Sequence, residues 1–130
     1  MAYDYEFEAT GGVRVRARGR LGLEEMLFTL ARLFRDPRWR AERPVLLDHS
    51  EASGAVLRAD HTQQLAELLS MLRSRIGRSR LAVVAPDDAA FGTARMWQAQ
   101  ATDWDGEIAV FRDQDLARGW LVGVAHAAAR

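Results

Sequence analysis

Cysteine, lysine and asparagine are absent from this sequence of 130 residues. Without cysteine the chain has no disulfide framework, no thiolate metal site and no thiol nucleophile. All 18 basic residues are arginines, and 18 acidic residues balance them, so no net charge draws the molecule toward nucleic acid or an anionic membrane. We therefore expect no nucleic-acid partner and no membrane partner. The missing lysine and asparagine are typical of a GC-rich bacterial genome.

Long apolar runs are also missing, and none approaches the length that spans a bilayer. The acidic first residues lack the basic and apolar regions of a signal peptide, which predicts a cytoplasmic protein. A chain of 130 residues has room for one domain. We expect this domain to span residues 1–122 and the Ala-rich residues 123–130 to be a flexible tail.

Apolar and charged residues alternate at the start of the chain. Aromatic residues at positions 3, 5 and 7 alternate with acidic residues, and apolar residues at 13, 15 and 17 alternate with arginines. Gly11 and Gly12 lie between the two runs. The pattern predicts a β-hairpin in which the acidic side of one strand lies opposite the arginine side of the other.

The remaining sequence alternates helical and strand patterns. Apolar runs at 45–47, 81–85 and 108–111 predict buried parallel strands, and apolar residues recur with helical spacing before and after them. Asp60 is the expected N-cap of the second helix, and Gly77 its expected end. The order ββαβαβαβα predicts an α/β fold. We expect a single-layer, mostly parallel sheet of four or five strands, opened by the hairpin, with about four helices on both faces.

This order resembles the STAS domain of anti-sigma-factor antagonists, and the resemblance extends over nearly the whole chain. It depends on Pro-Val-Leu-Leu-Asp at 44–48, on Leu-Ala-Val-Val-Ala-Pro-Asp-Asp-Ala-Ala-Phe-Gly-Thr-Ala-Arg-Met at 81–96 and on Glu-Ile-Ala-Val-Phe-Arg-Asp at 107–113. The resemblance implies a regulatory module that binds a protein partner, and the sequence is most similar to divergent STAS-like bacterial proteins.

In the antagonist family a kinase phosphorylates a serine in an Asp-Ser-Ser-Gly motif. The matching residues here are Glu-Ala-Ser-Gly at 51–54, which retain the second serine and the glycine. The resemblance therefore implies Ser53 as the phosphoacceptor, within a regulatory loop that follows the strand at 45–47. The expected residues of this loop are Asp48, His49, Ser50, Glu51, Ser53 and Asp60.

Aspartates follow several predicted strands, at Asp48, Asp87, Asp88 and Asp113. Parallel strands bring such residues to one edge of a sheet, where α/β proteins bind ligands. With Phe91, the last three form a candidate ligand-binding edge, although Asp87 and Asp113 are also placed to cap helices. The three histidines have no metal-ligand spacing, so we expect neither a metal nor a cofactor.

Asp48, His49 and Ser50 contain the residue types of a hydrolase triad, but consecutive residues leaving a strand cannot adopt its geometry. We therefore predict a non-enzymatic regulatory module with a protein partner, such as a kinase or regulator, that can also self-associate. The alternative is a domain that binds a small or apolar molecule in a pocket between helices and sheet, lined by Trp and Phe side chains.

Overall fold

The computed structural model describes residues 3–20, 22–52 and 57–128, and side chains as far as residue 123. Within these ranges the chain forms five strands and five helices. The strands are β1 Tyr3–Phe7, β2 Val13–Gly19, β3 Val45–Ala52, β4 Arg80–Val84 and β5 Glu107–Phe111. The helices are α1 Leu23–Arg35, α2 Ala59–Met71, α3 Arg73–Ile76, α4 Asp88–Gln100 and α5 Gln114–Ala128. The predicted α/β fold is confirmed, with the second helix divided into α2 and α3.

The strands lie in the sheet in chain order, with β1 antiparallel to β2 and all other pairs parallel. Right-handed crossovers that all advance in one direction place their helices on one face of the sheet. We call this face, covered by α1 to α4, the main face. The opposite face, packed on α5, is the α5 face. Helices thus cover both faces, but α5 alone among the described helices covers the second.

The hairpin has the expected charge pairing. Asp4 lies opposite Arg16, and Glu6 lies opposite Arg14, in the register that joins β1 to β2. The aromatic side chains of β1 lie on the main face, where Tyr3 is buried and Tyr5 packs against the core. The alternating sequence therefore separates a packed side of the hairpin from a charged side.

Capping residues that the sequence predicts lie at three of the helix ends. Asp87 accepts a hydrogen bond from the backbone N–H of Ala90, and Asp113 accepts two from the first turn of α5. Gly77 ends α3 with a positive φ of 68°, which glycine adopts without strain. The prediction for Asp60 was wrong: the N-cap is Arg58, two residues earlier, so α2 begins at Ala59, and Asp60 forms an exposed ion pair with Arg58.

Strand β3 is longer than the sequence predicts. Its last residues continue the pairing with β2 to Gly19 and Ala52, whereas β4 already ends opposite Asp48. Asp48, His49, Ser50 and Glu51 are therefore strand residues and not part of a loop. Ser53 lies outside the described residues.

Helix α5 extends to Ala128, where the sequence predicts a tail from residue 123. In the described part of the chain, no helix is long and apolar enough to cross a membrane.

Candidate functional site

A cavity of about 110 Å³ lies between the main face of the sheet and the helices α1, α2 and α4. Its floor is formed by β3 and β4, close to the carboxyl ends of these strands, where α/β proteins usually bind ligands. Most of the wall is apolar. The described lining residues are Tyr3, Met26, Leu30, Leu47, His49, Ala52, Leu57, Thr62, Leu65, Val83, Ala85, Asp87, Ala89, Ala90, Thr93, Ala94 and Trp97.

Alanines account for the space. Ala85 ends the floor, and Ala89, Ala90 and Ala94 lie along the side of α4 that borders the cavity. From the sequence, small residues on this helix predict a close approach to the sheet. Trp97, one turn further along α4, packs into the same core, so a large side chain at one end and methyl groups at the other leave a gap.

His49 and Tyr3 are two of the polar residues in the wall. The Tyr3 hydroxyl lies 3.3 Å from Nε2 of His49, and the two rings meet edge to face with centroids 5.6 Å apart. Burial lowers the pKa of His49 to about 4, against a smaller opposing effect of Asp48. Burial also raises the pKa of Tyr3 above its ordinary value. Both side chains are therefore uncharged at neutral pH.

Asp48 lies on the α5 face, because side chains alternate along β3. Its carboxylate accepts hydrogen bonds from Arg14, at 2.6 Å, and from the backbone and hydroxyl of Ser50. Burial opposes ionisation of Asp48, but the bonds from Arg14 and Ser50 outweigh it and hold the pKa below its usual value. Asp48 is thus a structural anion.

Asp48, His49 and Ser50 do not form a hydrolase triad, because the sheet separates His49 from the other two residues. Ser50 donates to Asp48 on the α5 face, while His49 lines the cavity on the main face. A base and a nucleophile on opposite faces cannot exchange a proton directly. Of the expected regulatory loop, the structure brings Asp48 and Ser50 together, and it places Glu51 in an exposed ion pair with Arg18.

The residues of the candidate ligand-binding edge make separate contacts and do not converge on one site. Asp87 caps α4 and also lies at the cavity wall. Asp88 forms an ion pair with Arg112, whose guanidinium lies over the ring of Phe91 at 4.4 Å. Asp113 caps α5. Only Asp87 of these residues is among the described residues that line the cavity.

The other histidines lie elsewhere. Nδ1 of His61 accepts the backbone N–H of Arg58 at the start of α2. His126 falls in α5, where its side chain lies outside the described residues. Across the described part of the chain, no three His, Asp or Glu side chains form a group that could hold a metal ion.

Sequence reasoning did not identify Tyr3 or Leu57 as site residues. Of the Trp and Phe side chains expected to line a pocket, Trp97 alone is among the described lining residues. The sequence pattern could have identified Tyr3, since its position in the alternating first strand places it on the packed side of the hairpin. No local pattern could have identified Leu57, because its position depends on the path of the chain between β3 and α2. Trp39 is buried, and its indole N–H donates to the carbonyl of Arg75.

Comparison of the chain with protein-family models, curated proteins and solved structures gave no match. The functional argument therefore depends on the geometry of the cavity and on the surfaces around it.

Proposed function

We propose that this domain binds a small, mainly apolar molecule in the cavity between α1, α2, α4 and the sheet. The observation that carries the proposal is the cavity itself, of about 110 Å³, with its apolar wall and its few polar groups. Small-molecule sites in proteins are typically concave and apolar, with a small number of placed polar groups.

The size of the cavity indicates the size of the ligand. Protein interiors contain few voids larger than a water molecule. An apolar cavity of about 150 Å³ holds benzene, so the expected ligand or ligand segment is about the size of one ring.

Thermal unfolding with added benzene, ethylbenzene and acetophenone tests this proposal. We expect at least one of them to raise the Tm of the wild-type domain, because a ligand that binds only the native state stabilises it. Ala90→Leu places a larger side chain in the cavity and should abolish the shift. Ala99→Leu is the matched control, since Ala99 is exposed on the same helix and does not line the cavity. No shift with any of the three ligands contradicts the proposal.

A second candidate is a non-enzymatic, STAS-like regulatory module that binds a protein partner, and the surface of α5 favours it. Leu116 and Val122 on this helix are 65% and 67% exposed. Exposed apolar side chains of this kind are frequent where protein chains meet. We propose a regulator or kinase, or a second copy of the chain, as the partner, in the cytoplasm of a bacterium.

Sedimentation velocity tests self-association through α5. Leu116→Glu with Val122→Glu should shift a dimer to monomer, whereas Phe28→Glu, at another exposed apolar residue, should not. A wild-type monomer at all concentrations contradicts self-association.

Phosphorylation of Ser53 belongs to the same candidate. Ser53→Asp should weaken partner binding, and Ser53→Ala should retain it, because phosphate brings about 1.5–2 negative charges next to Glu51. Equal binding by both variants excludes the switch.

A further inference from the structure

A surface groove of about 580 Å³ lies along the exposed side of α1, between this helix and β1. We call it the α1 groove. Its described lining combines aromatic and charged side chains and includes Tyr5, Phe28, Arg32, Arg35, Asp36 and Arg38. None of the described lining residues is shared with the cavity, and the groove lies on the main-face side of the sheet, away from α5. It is therefore a separate surface.

Two of the charged residues in the α1 groove neutralise each other. Arg38 donates to both carboxylate oxygens of Asp36, at 3.0 Å from Nε and 2.9 Å from a terminal nitrogen. The Tyr5 hydroxyl donates a further hydrogen bond to Asp36, at 2.9 Å. The carboxylate of Asp36 is thus satisfied by groups beside it, and its charge does not offset the other arginines of the groove.

Arg32 and Arg35 have no carboxylate partner. Within the ranges that the structure describes, neither forms an ion pair. Arg32 makes only a long contact, 3.5 Å from its Nε to the Tyr5 hydroxyl, and its guanidinium lies over the Tyr5 ring at 5.1 Å. Both arginines are exposed. The groove therefore has two positive charges that no described carboxylate neutralises.

The helix end does not account for these two charges. Cations near a helix C-terminus usually interact with its last carbonyl groups, but in α1 a different arginine does so: Nε of Arg75 donates to the carbonyl of Phe34 at 2.7 Å. Since a helix end has the equivalent of about half a negative charge, the guanidinium groups of Arg32 and Arg35 leave an excess of positive charge.

An exposed aromatic side chain lies on the same side of α1 as the two arginines. Phe28 is 59% exposed, and Arg32 and Arg35 follow it at the spacings of four and seven residues that share one helix face. Aromatic residues and arginine are enriched where proteins bind one another. The α1 groove thus offers one apolar contact next to two cations.

We propose that the α1 groove binds an acidic segment of a partner protein, in which an apolar side chain lies between carboxylates. The apolar side chain packs on Phe28, and the carboxylates pair with Arg32 and Arg35. Charge complementarity favours this occupant, because the chain as a whole has no net charge whereas the groove has two unneutralised cations. The proposal is independent of the cavity and of α5.

Fluorescence anisotropy with three labelled peptides tests this proposal. One peptide has four glutamates around a central leucine, the second has serine in place of the leucine, and the third has lysines in place of the glutamates. The leucine peptide should bind about threefold to tenfold more tightly than the serine peptide, because the groove buries part of the apolar side chain. The lysine peptide should not bind. Added salt should weaken binding of the leucine peptide, because it screens exposed charges.

Variants of the groove identify the residues that bind. Arg32→Glu with Arg35→Glu should weaken binding of the leucine peptide by about tenfold or more, because two attractions become repulsions. Arg20→Glu with Arg95→Glu is the matched control, since both arginines are exposed outside the described lining of the groove and the net charge changes equally. Phe28→Ser should lower the affinity for the leucine peptide to that for the serine peptide.

The arginine Nε–H signals in a proton–nitrogen spectrum locate the peptide on the wild-type protein, without any substitution. The leucine peptide should shift the signals of Arg32 and Arg35, whereas that of Arg95 should stay unmoved. Unmoved signals of Arg32 and Arg35 in the presence of bound peptide would overturn the proposal.

The remaining outcomes are equally decisive. Absence of binding by the leucine peptide overturns the proposal, and so do equal losses in the two arginine pairs, which would mean that overall charge attracts the peptide. Equal affinities for the leucine and serine peptides overturn the apolar part of the partner's chemistry. If single-stranded DNA of matched charge binds more tightly than the leucine peptide and loses this affinity in Arg32→Glu with Arg35→Glu, the occupant is a nucleic acid and not a protein.

Discussion

Two neighbouring residues of β3, Asp48 and His49, lie in opposite environments on the two faces of the sheet. On the α5 face, Asp48 is ionised, buried and bonded to Arg14 and Ser50. On the main face, His49 is uncharged and borders an apolar cavity. The α5 face thus satisfies a buried charge with protein groups, whereas the main face leaves an apolar cavity. This difference is the reason why we propose the main face, and not the α5 face, as the place of the binding site.

The largest expected effect comes from placing a charge on the main face. Leu47→Asp should lower the free energy of unfolding by at least about 3 kcal/mol, because the new carboxylate has no cation beside it. Chemical denaturation measures this loss. Glu51→Leu, at the exposed end of the same strand, should change stability by about 0.5 kcal/mol or less. A tolerated Leu47→Asp would show that the cavity is open to water.

Removing the charge from the α5 face should have the next largest effect. Asp48→Ala leaves Arg14 without its partner and should cost about 2 kcal/mol, below the range for fully buried pairs because Arg14 reaches solvent. Arg14→Leu combined with Asp48→Leu should recover much of the loss. A double-mutant cycle measures the coupling, and a coupling near zero would mean that the pair does not stabilise this face.

A smaller effect should follow from acidification on the main face. His49 has a pKa of about 4 in the fold, below its ordinary value, so the unfolded chain binds its proton first. Its contribution to stability is complete at neutral pH and is lost as pH falls from about 6.5 to 4, to a total of at most about 3–4 kcal/mol. His49→Gln should have a flatter stability profile in this interval. Identical profiles would contradict a half-buried, neutral His49.

Periodicity predicted most of the fold. The alternating hairpin, the three apolar strands and the helical spacings needed only local sequence, and Asp87, Asp113 and Gly77 occupy the helix ends that their chemistry favours. The distribution of the helices between the two faces of the sheet could not be predicted from local patterns. Only the order of strands in the sheet places α1 to α4 on a single face, and sequence spacing does not determine that order.

The site was less predictable because it depends on distance across the fold. His-Ser-Glu-Ala at 49–52 has no apolar alternation, so the end of β3 read as a loop, although β2 pairs with it. The cavity arises where alanines of α4 face Leu47 and Val83, a volume difference that no local pattern contains. A pocket lined by Trp and Phe side chains was the alternative that the sequence allowed, but among the described lining residues Trp97 is the one member of that set.

A crystal of the wild-type domain under xenon pressure tests the central claim most directly, because xenon enters apolar cavities without needing a polar partner. We expect xenon density on the main face, in contact with Leu47, Val83 and Trp97, and its loss in Ala90→Leu. Side chains that meet across this space, with no xenon between them, would contradict the account.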